Sequence, residues 1–172
     1  VRGNQILSST MLLDFLANFF SSAMTLLPIF AKDVLRVGAQ GLGILYAAPA
    51  IGAVLSGLVL ASLLHARHQG RLILYSVALY GLATLGFGLS KNFYLSFFFL
   101  FLVGVGDMIS TIYRNTLRQL ITPDYIRGRM VSINMIFIQG GPLIGEAEAG
   151  FIAALTSAPF SVVSGGIATI LI

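Results

Sequence analysis

Residues 93–113 read FYLSFFFLFLVGVGDMISTIY, a run of twenty-one residues with one acid, Asp107, and no base. Wound as an α-helix the run is about 31 Å long, which matches a hydrocarbon core of roughly 30 Å. As a lone strand in lipid it would leave its amides unsatisfied. It is also too long and too evenly apolar for the roughly ten-residue alternating strands of an outer-membrane barrel. The stretch therefore predicts a helix that crosses a membrane, and the rest of the chain is read from it.

Five further apolar runs flank it, at residues 6–30, 42–64, 72–89, 130–155 and 160–172. The last stops short of the roughly 20 residues a full crossing needs. The chain opens on Val1 instead of an initiator Met, so it is expected to be a fragment. The fold class predicted is all-α, a polytopic six-helix membrane bundle occupying residues 1–172 as one unit. Composition agrees: 57% of residues are hydrophobic and 9% charged, against roughly 25% charged in soluble domains. That balance excludes an ordinary water-soluble globule and makes the lipid bilayer the first partner.

The absence of cysteine excludes disulfide frameworks, thiolate metal sites and cysteine nucleophiles. The net charge of +4 is not read as nucleic-acid binding, because the bases sit in short segments between apolar runs. With the amino terminus in the cytoplasm, that side collects Arg2, Arg67, Arg71, Arg114, Arg118, Arg127 and Arg129. Lys32, Arg36 and Lys91 remain outside, and seven against three obeys the positive-inside rule.

Polar residues interrupt particular runs in register. In the first run Asp14, Asn18, Ser21 and Thr25 recur at intervals of four, three and four, within about 60° of one another on a helix. The fourth run repeats those intervals with Asp107, Thr111, Arg114 and Arg118. A charged group facing lipid costs a few kcal/mol, so both stripes are expected to face protein or water around a shared cavity. The second, third and sixth runs contain no charged residue and are read as helices that shield the bundle from lipid. The fifth run adds Asn134, Gln139, Glu146 and Glu148, with Gly140, Gly141 and Pro142 expected to interrupt the helix. Glu146 and Glu148 fall about 200° apart on a regular helix, so they are given different neighbours. Glu146, which shares a face with Gln139, is preferred as the functional one. Pro28 and Pro49 are expected to kink their helices. Ala48, Gly52 and Ser56, at helical spacing, are read as a close-packing face.

Desolvation raises carboxylate pKa values, so Asp14, Asp107 and Glu146 are the candidate proton-coupling groups. The candidate substrate-pathway residues are Asn18, Ser21, Thr25, Thr111, Arg114, Asn134, Gln139 and Glu148. The bland alternative is that the carboxylates pair with arginines and merely fasten helices, as buried ion pairs can; for Asp107 and Arg114 the two readings stand level. No P-loop signature occurs, so ATP is not expected to drive the chain directly. His65 and His68 have no neighbouring carboxylate or thiolate to complete a metal site. No cofactor or metal is predicted. An intramembrane enzyme would rest on Glu146 and Glu148 alone, with both histidines in a distant loop. A non-transporting membrane scaffold would not require two acid-bearing stripes. Transport of a small-molecule cargo is preferred to both.

The stretch Thr122-Pro123-Asp124-Tyr125-Ile126-Arg127-Gly128-Arg129 resembles the loop between the tenth and eleventh helices of major facilitator superfamily exporters. The segments at residues 14–18, 42–49 and 145–150 are similar to the enterobactin-exporter branch of that superfamily. The resemblance implies that the six runs are helices seven to twelve, the carboxy-terminal half of a twelve-helix fold, with the amino-terminal half as the missing partner. It implies an inner (plasma) membrane location and export coupled to protons. In that superfamily the seventh and tenth helices line the pathway, and the polar stripes fall on those two here. Arg67, Arg71, Asp124, Arg127 and Arg129 map to cytoplasmic gating loops. The loop from His65 to Arg71 departs from the family pattern by lacking its acidic residue, so the family's gating charge network does not carry over intact.

Orientation is open to a direct check. Single cysteines placed at Lys91 and at Arg71 should react with a membrane-impermeant thiol reagent from outside and only after permeabilisation, respectively; the reverse pattern would invert the topology.

Overall fold

The computed structural model describes residues 24–62, 69–122, 125 and 127–171. Every regular element among them is helical. A short helix α1 (Leu27–Ile29) runs into a wider π-helical turn, Phe30–Val34. Four long helices follow: α2 (Ala39–Ser62), α3 (Gln69–Leu89), α4 (Phe93–Ile121) and α5 (Arg127–Leu155), with α6 (Ala158–Leu171) last. Asp14, Asn18, Ser21, His65, Arg67, His68 and Asp124 lie outside the described residues. Among the described residues, α2, α3 from Gly70 and α4 are long and apolar enough to cross a membrane, and residues Ala158–Ile170 form a shorter apolar helix.

The helices exceed the apolar runs that announce them. α4 continues to Ile121, eight residues past the run ending at Tyr113, so Arg114 and Arg118 belong to the helix and not to a connecting loop. Long arginine stems pack as apolar matter while their heads find hydrogen bonds, so hydropathy falls before the helix does. The expected interruption at Gly140-Gly141-Pro142 is not found: α5 runs unbroken through Pro142, as α2 does through Pro49. One proline removes one backbone hydrogen bond, and membrane helices tolerate that loss where neighbouring groups compensate.

Each junction has a local cause. Asn92 caps α4 by accepting a hydrogen bond from the Tyr94 amide at 3.0 Å, the role for which a side-chain oxygen is favoured at that position. Ser96 donates to Ser90 at 3.0 Å and fastens the turn before it. At the far end the Arg118 carbonyl accepts from both the Thr122 amide (3.0 Å) and the Thr122 hydroxyl (2.6 Å), closing α4. Two residues past the π-helical turn, Arg36 has a left-handed φ of 52° and turns the chain into α2.

α4 is the central strut, packed against α2 on one side and α3 on another, while α3 also carries α6 and α6 carries α5. Leu45, Ala48, Pro49, Gly52 and Ser56 form the buried face of α2. There the backbones of α2 and α4 meet directly. A side-chain carbon added at Gly52 would collide with the Phe101 carbonyl, and one at Gly104 with the Pro49 carbonyl. Gly106 meets the Ser76 carbonyl and Tyr80 of α3 in the same way, at 2.9–3.1 Å from where its Cβ would stand. Small residues at such crossings are how helices associate in lipid, where no hydrophobic drive distinguishes helix from solvent. Aromatic filling adds to the core, with the rings of Phe30 and Phe87 tilted by 32° at 4.6 Å between centroids.

The Gly104→Val substitution should separate α2 from α4 and destabilise the protein by about 1–3 kcal/mol, the usual cost of overpacking. A thermal melt of the detergent-purified protein measures it. Gly140→Val, where an added carbon meets nothing within 4 Å, should leave the melt nearly unchanged.

Candidate functional site

Two buried guanidiniums on α4 define the polar centre of the described bundle. Arg114 and Arg118, one helical turn apart, are 2% and 8% exposed. They continue a face built from Ser96, Leu100, Val103 and Ser110, so the stripe that begins apolar at one end of α4 becomes cationic at the other. Three hydrogen bonds help to fix Arg118. Its Nε donates to the Arg114 carbonyl at 3.3 Å, and one terminal nitrogen donates to Asn115 Oδ1 at 2.6 Å. The other terminal nitrogen donates across to Asn134 Oδ1 of α5. A planar fork with donors on three nitrogens suits that divided duty; a lysine ammonium does not.

About two turns before Arg114, Asp107 lies on an exposed face of α4, with Thr111 half-buried between them. Tyr80 reaches this region from α3, where its backbone nitrogen and Cβ are held against Gly106. The Ser110 hydroxyl is buried and makes no hydrogen bond among the described residues. Ser76, Thr84, Thr116 and Thr122, by contrast, return theirs to carbonyls of their own helices. Ser110 therefore leaves a donor beside the charged groups.

The remaining sequence-derived candidates are spread more widely. Thr25 is exposed in the turn before α1, and Arg71 is exposed in the first turn of α3. Arg127 and Arg129 belong to the start of α5. Asn134 is half-buried on Arg118, whereas Gln139 and Glu146 are exposed and Glu148 is half-buried. Twelve residues of continuous helix place Glu146 about 18 Å along α5 from Asn134. The structure thus brings together Arg114, Arg118 and Asn134, sets Asp107 about two turns from Arg114 along α4, and leaves the two glutamates farther along α5. Tyr80, Ser110 and Asn115 were not picked out by sequence reasoning. Asn115 sits three residues from Arg118, a helical-neighbour spacing that could have flagged it. Tyr80 carries no such signal, because its place depends on the Gly106 crossing.

Comparison with known proteins agrees with this architecture. The family model for transmembrane secretion effectors, within the major facilitator superfamily, matches residues 4–172. The chain is 29% identical over 170 residues to the enterobactin exporter EntS of Shigella flexneri, covering 99% of this chain and 41% of that protein. It is 30% identical over 161 residues to the enterobactin exporter EntS of Escherichia coli O81 (strain ED1a), covering 94% of this chain and 38% of that protein. The chain therefore spans about two-fifths of the length of the curated relatives it matches. No solved structure matches it. A helical bundle with membrane-crossing spans, a buried arginine pair on its central helix and a family match along almost its whole length make this chain a member of the transmembrane secretion effector family of the major facilitator superfamily.

Proposed function

We propose that the chain is the carboxy-terminal half of a proton-coupled exporter of the inner membrane, which expels a siderophore- or drug-like small molecule by alternating access. The observation that carries this reading is the charged face of α4, where Asp107, Ser110, Arg114 and Arg118 follow one another on the central helix. A charged group at membrane depth, as Asp107 is in this reading, is expensive and is retained where it serves a pathway or a relay. The relatives' names, enterobactin exporters, support outward movement of a small molecule. The amino-terminal six-helix half is the partner against which this half rocks, with the cargo held near the midplane between them.

In this scheme Asp14, Asp107 and Glu146 bind and release protons. A protonated acid is cheaper in a closed, dry cavity, and an ionised one in a cavity open to water, so each change of access shifts the proton equilibrium. Arg114 supplies a fixed positive charge that favours ionised Asp107 or an anionic part of the cargo. Asn18, Ser21, Thr25, Thr111 and Gln139, together with Ser110, offer neutral hydrogen bonds to cargo. Glu148 borders the pathway from α5. Arg67, Arg71, Asp124, Arg127 and Arg129 sit at the cytoplasmic gate.

Flux through the full-length protein in vesicles, measured with and without an imposed pH gradient, tests the reading. With protons driven inward against outward cargo, one pH unit is worth about 1.4 kcal/mol per proton. It should therefore drive roughly tenfold cargo accumulation for one-to-one exchange. Flux indifferent to the gradient rejects proton coupling. Asp14→Asn and Asp107→Asn should each abolish the gradient response while the protein still inserts, and an unchanged response removes that residue from the mechanism.

A further inference from the structure

The helices α4 and α5 are consecutive, yet among the described residues they do not lie side by side. α4 packs on α2 and α3, while α5 packs on α6, where Ser161 of α6 donates to the Ala149 carbonyl of α5 at 3.0 Å. A side-chain hydrogen bond from Arg118 to Asn134 joins α4 to α5. It sits beside the short connection between the two helices, near the last turn of α4 and within the second turn of α5.

We propose that Arg118 is a positioning residue, the pin on which α5 pivots against α4: their joined ends stay together through the transport cycle while their opposite ends change separation.

Three features support a permanent joint over a latch that opens. First, the residue is immobilised from both sides. Its side chain is spread over Asn115, Asn134 and the Arg114 carbonyl, and its own carbonyl is held twice by Thr122. Second, the oxygens that accept from it in these bonds are amide and backbone oxygens, which do not themselves titrate in the physiological range. Third, the bonds are largely removed from water, Arg118 being 8% exposed, and cross-helix hydrogen bonds are among the forces that hold helices together in lipid. Farther along, α5 packs chiefly on α6 among the described residues. Asn134 is then part of the joint and not a cargo contact. The inference rests on the geometry of this half, and the alternating-access reading supplies the movement.

Distances between spin labels in the full-length protein test it, and this half contributes no cysteine to confuse the labelling. One pair, at the exposed positions Leu120 and Val131, reports the pinned ends; a second, at the exposed positions Leu95 and Leu155, reports the opposite ends. Between acid and neutral pH, and with and without cargo, the first pair should keep one distance distribution while the second shifts. A first pair that shifts with the second overturns the proposal, because the joint would then be a latch. Asn134→Leu removes the cross-helix acceptor and should broaden the first distribution, whereas Asn115→Leu, which leaves the α5 bond intact, should broaden it less. A first distribution unchanged by Asn134→Leu also overturns the proposal. If neither pair responds to pH or cargo, the pivoting of α5 against α4 is overturned, whereas the rocking of the two halves is read separately by the flux assay.

Discussion

Two glycines and two carbonyls set the geometry on which everything else in this bundle depends. Gly52 lets the Phe101 carbonyl of α4 approach α2, and Gly104 lets the Pro49 carbonyl of α2 approach α4, so the contact is reciprocal and admits no side chain from either partner. In water such a crossing would be one contribution among many, because burial of apolar surface would dominate. In lipid the surroundings are as apolar as the helix, and close backbone packing carries the association. Gly106 then brings α3 against another side of α4. With α4 held by two neighbours, the rotation of its charged face is fixed, and Arg114 and Arg118 are buried as a consequence.

The same constraint explains how polar groups are handled. Most serines and threonines on the helices bond carbonyls three or four residues earlier, as Ser56, Ser76, Thr84 and Thr169 do. Such groups are neutral to the surroundings and say little about function. Arg118 instead spends its donors on two asparagines and a carbonyl, one of them on another helix. The contrast between inward-turned hydroxyls and an outward-reaching guanidinium separates packing chemistry from a joint that spans elements.

The helical membrane architecture was legible in the sequence because lipid imposes it: a backbone without water must bond internally, and a run of about twenty apolar residues permits little else. The small-residue face at Ala48, Gly52 and Ser56 was equally readable, and all three are buried. Helix ends were less so. The chain from Arg114 to Ile121 is helical despite its bases, because hydrogen bonding to side chains continues where hydropathy stops. Gly140-Gly141-Pro142 did not break α5, since composition marks where a helix is weak and not whether its neighbours hold it. In the candidate site, the alignment of Arg114 with Arg118 follows from spacing alone, whereas the partnership with Asn134 does not. Tyr80 was invisible for the same reason: a tyrosine in an uncharged run acquires meaning only from the helix that crosses it.

The length of α4 carries one more consequence. Its 29 residues extend about 43 Å, against a hydrocarbon layer of roughly 30 Å. If Phe93 marks one boundary of that layer, about twenty residues exhaust it near Ile112, and the arginine-bearing turns emerge among phosphates and glycerol esters. A thicker or thinner bilayer would slide that boundary along the helix, so the acyl-chain length of the host lipid becomes a control on how wet the guanidiniums are.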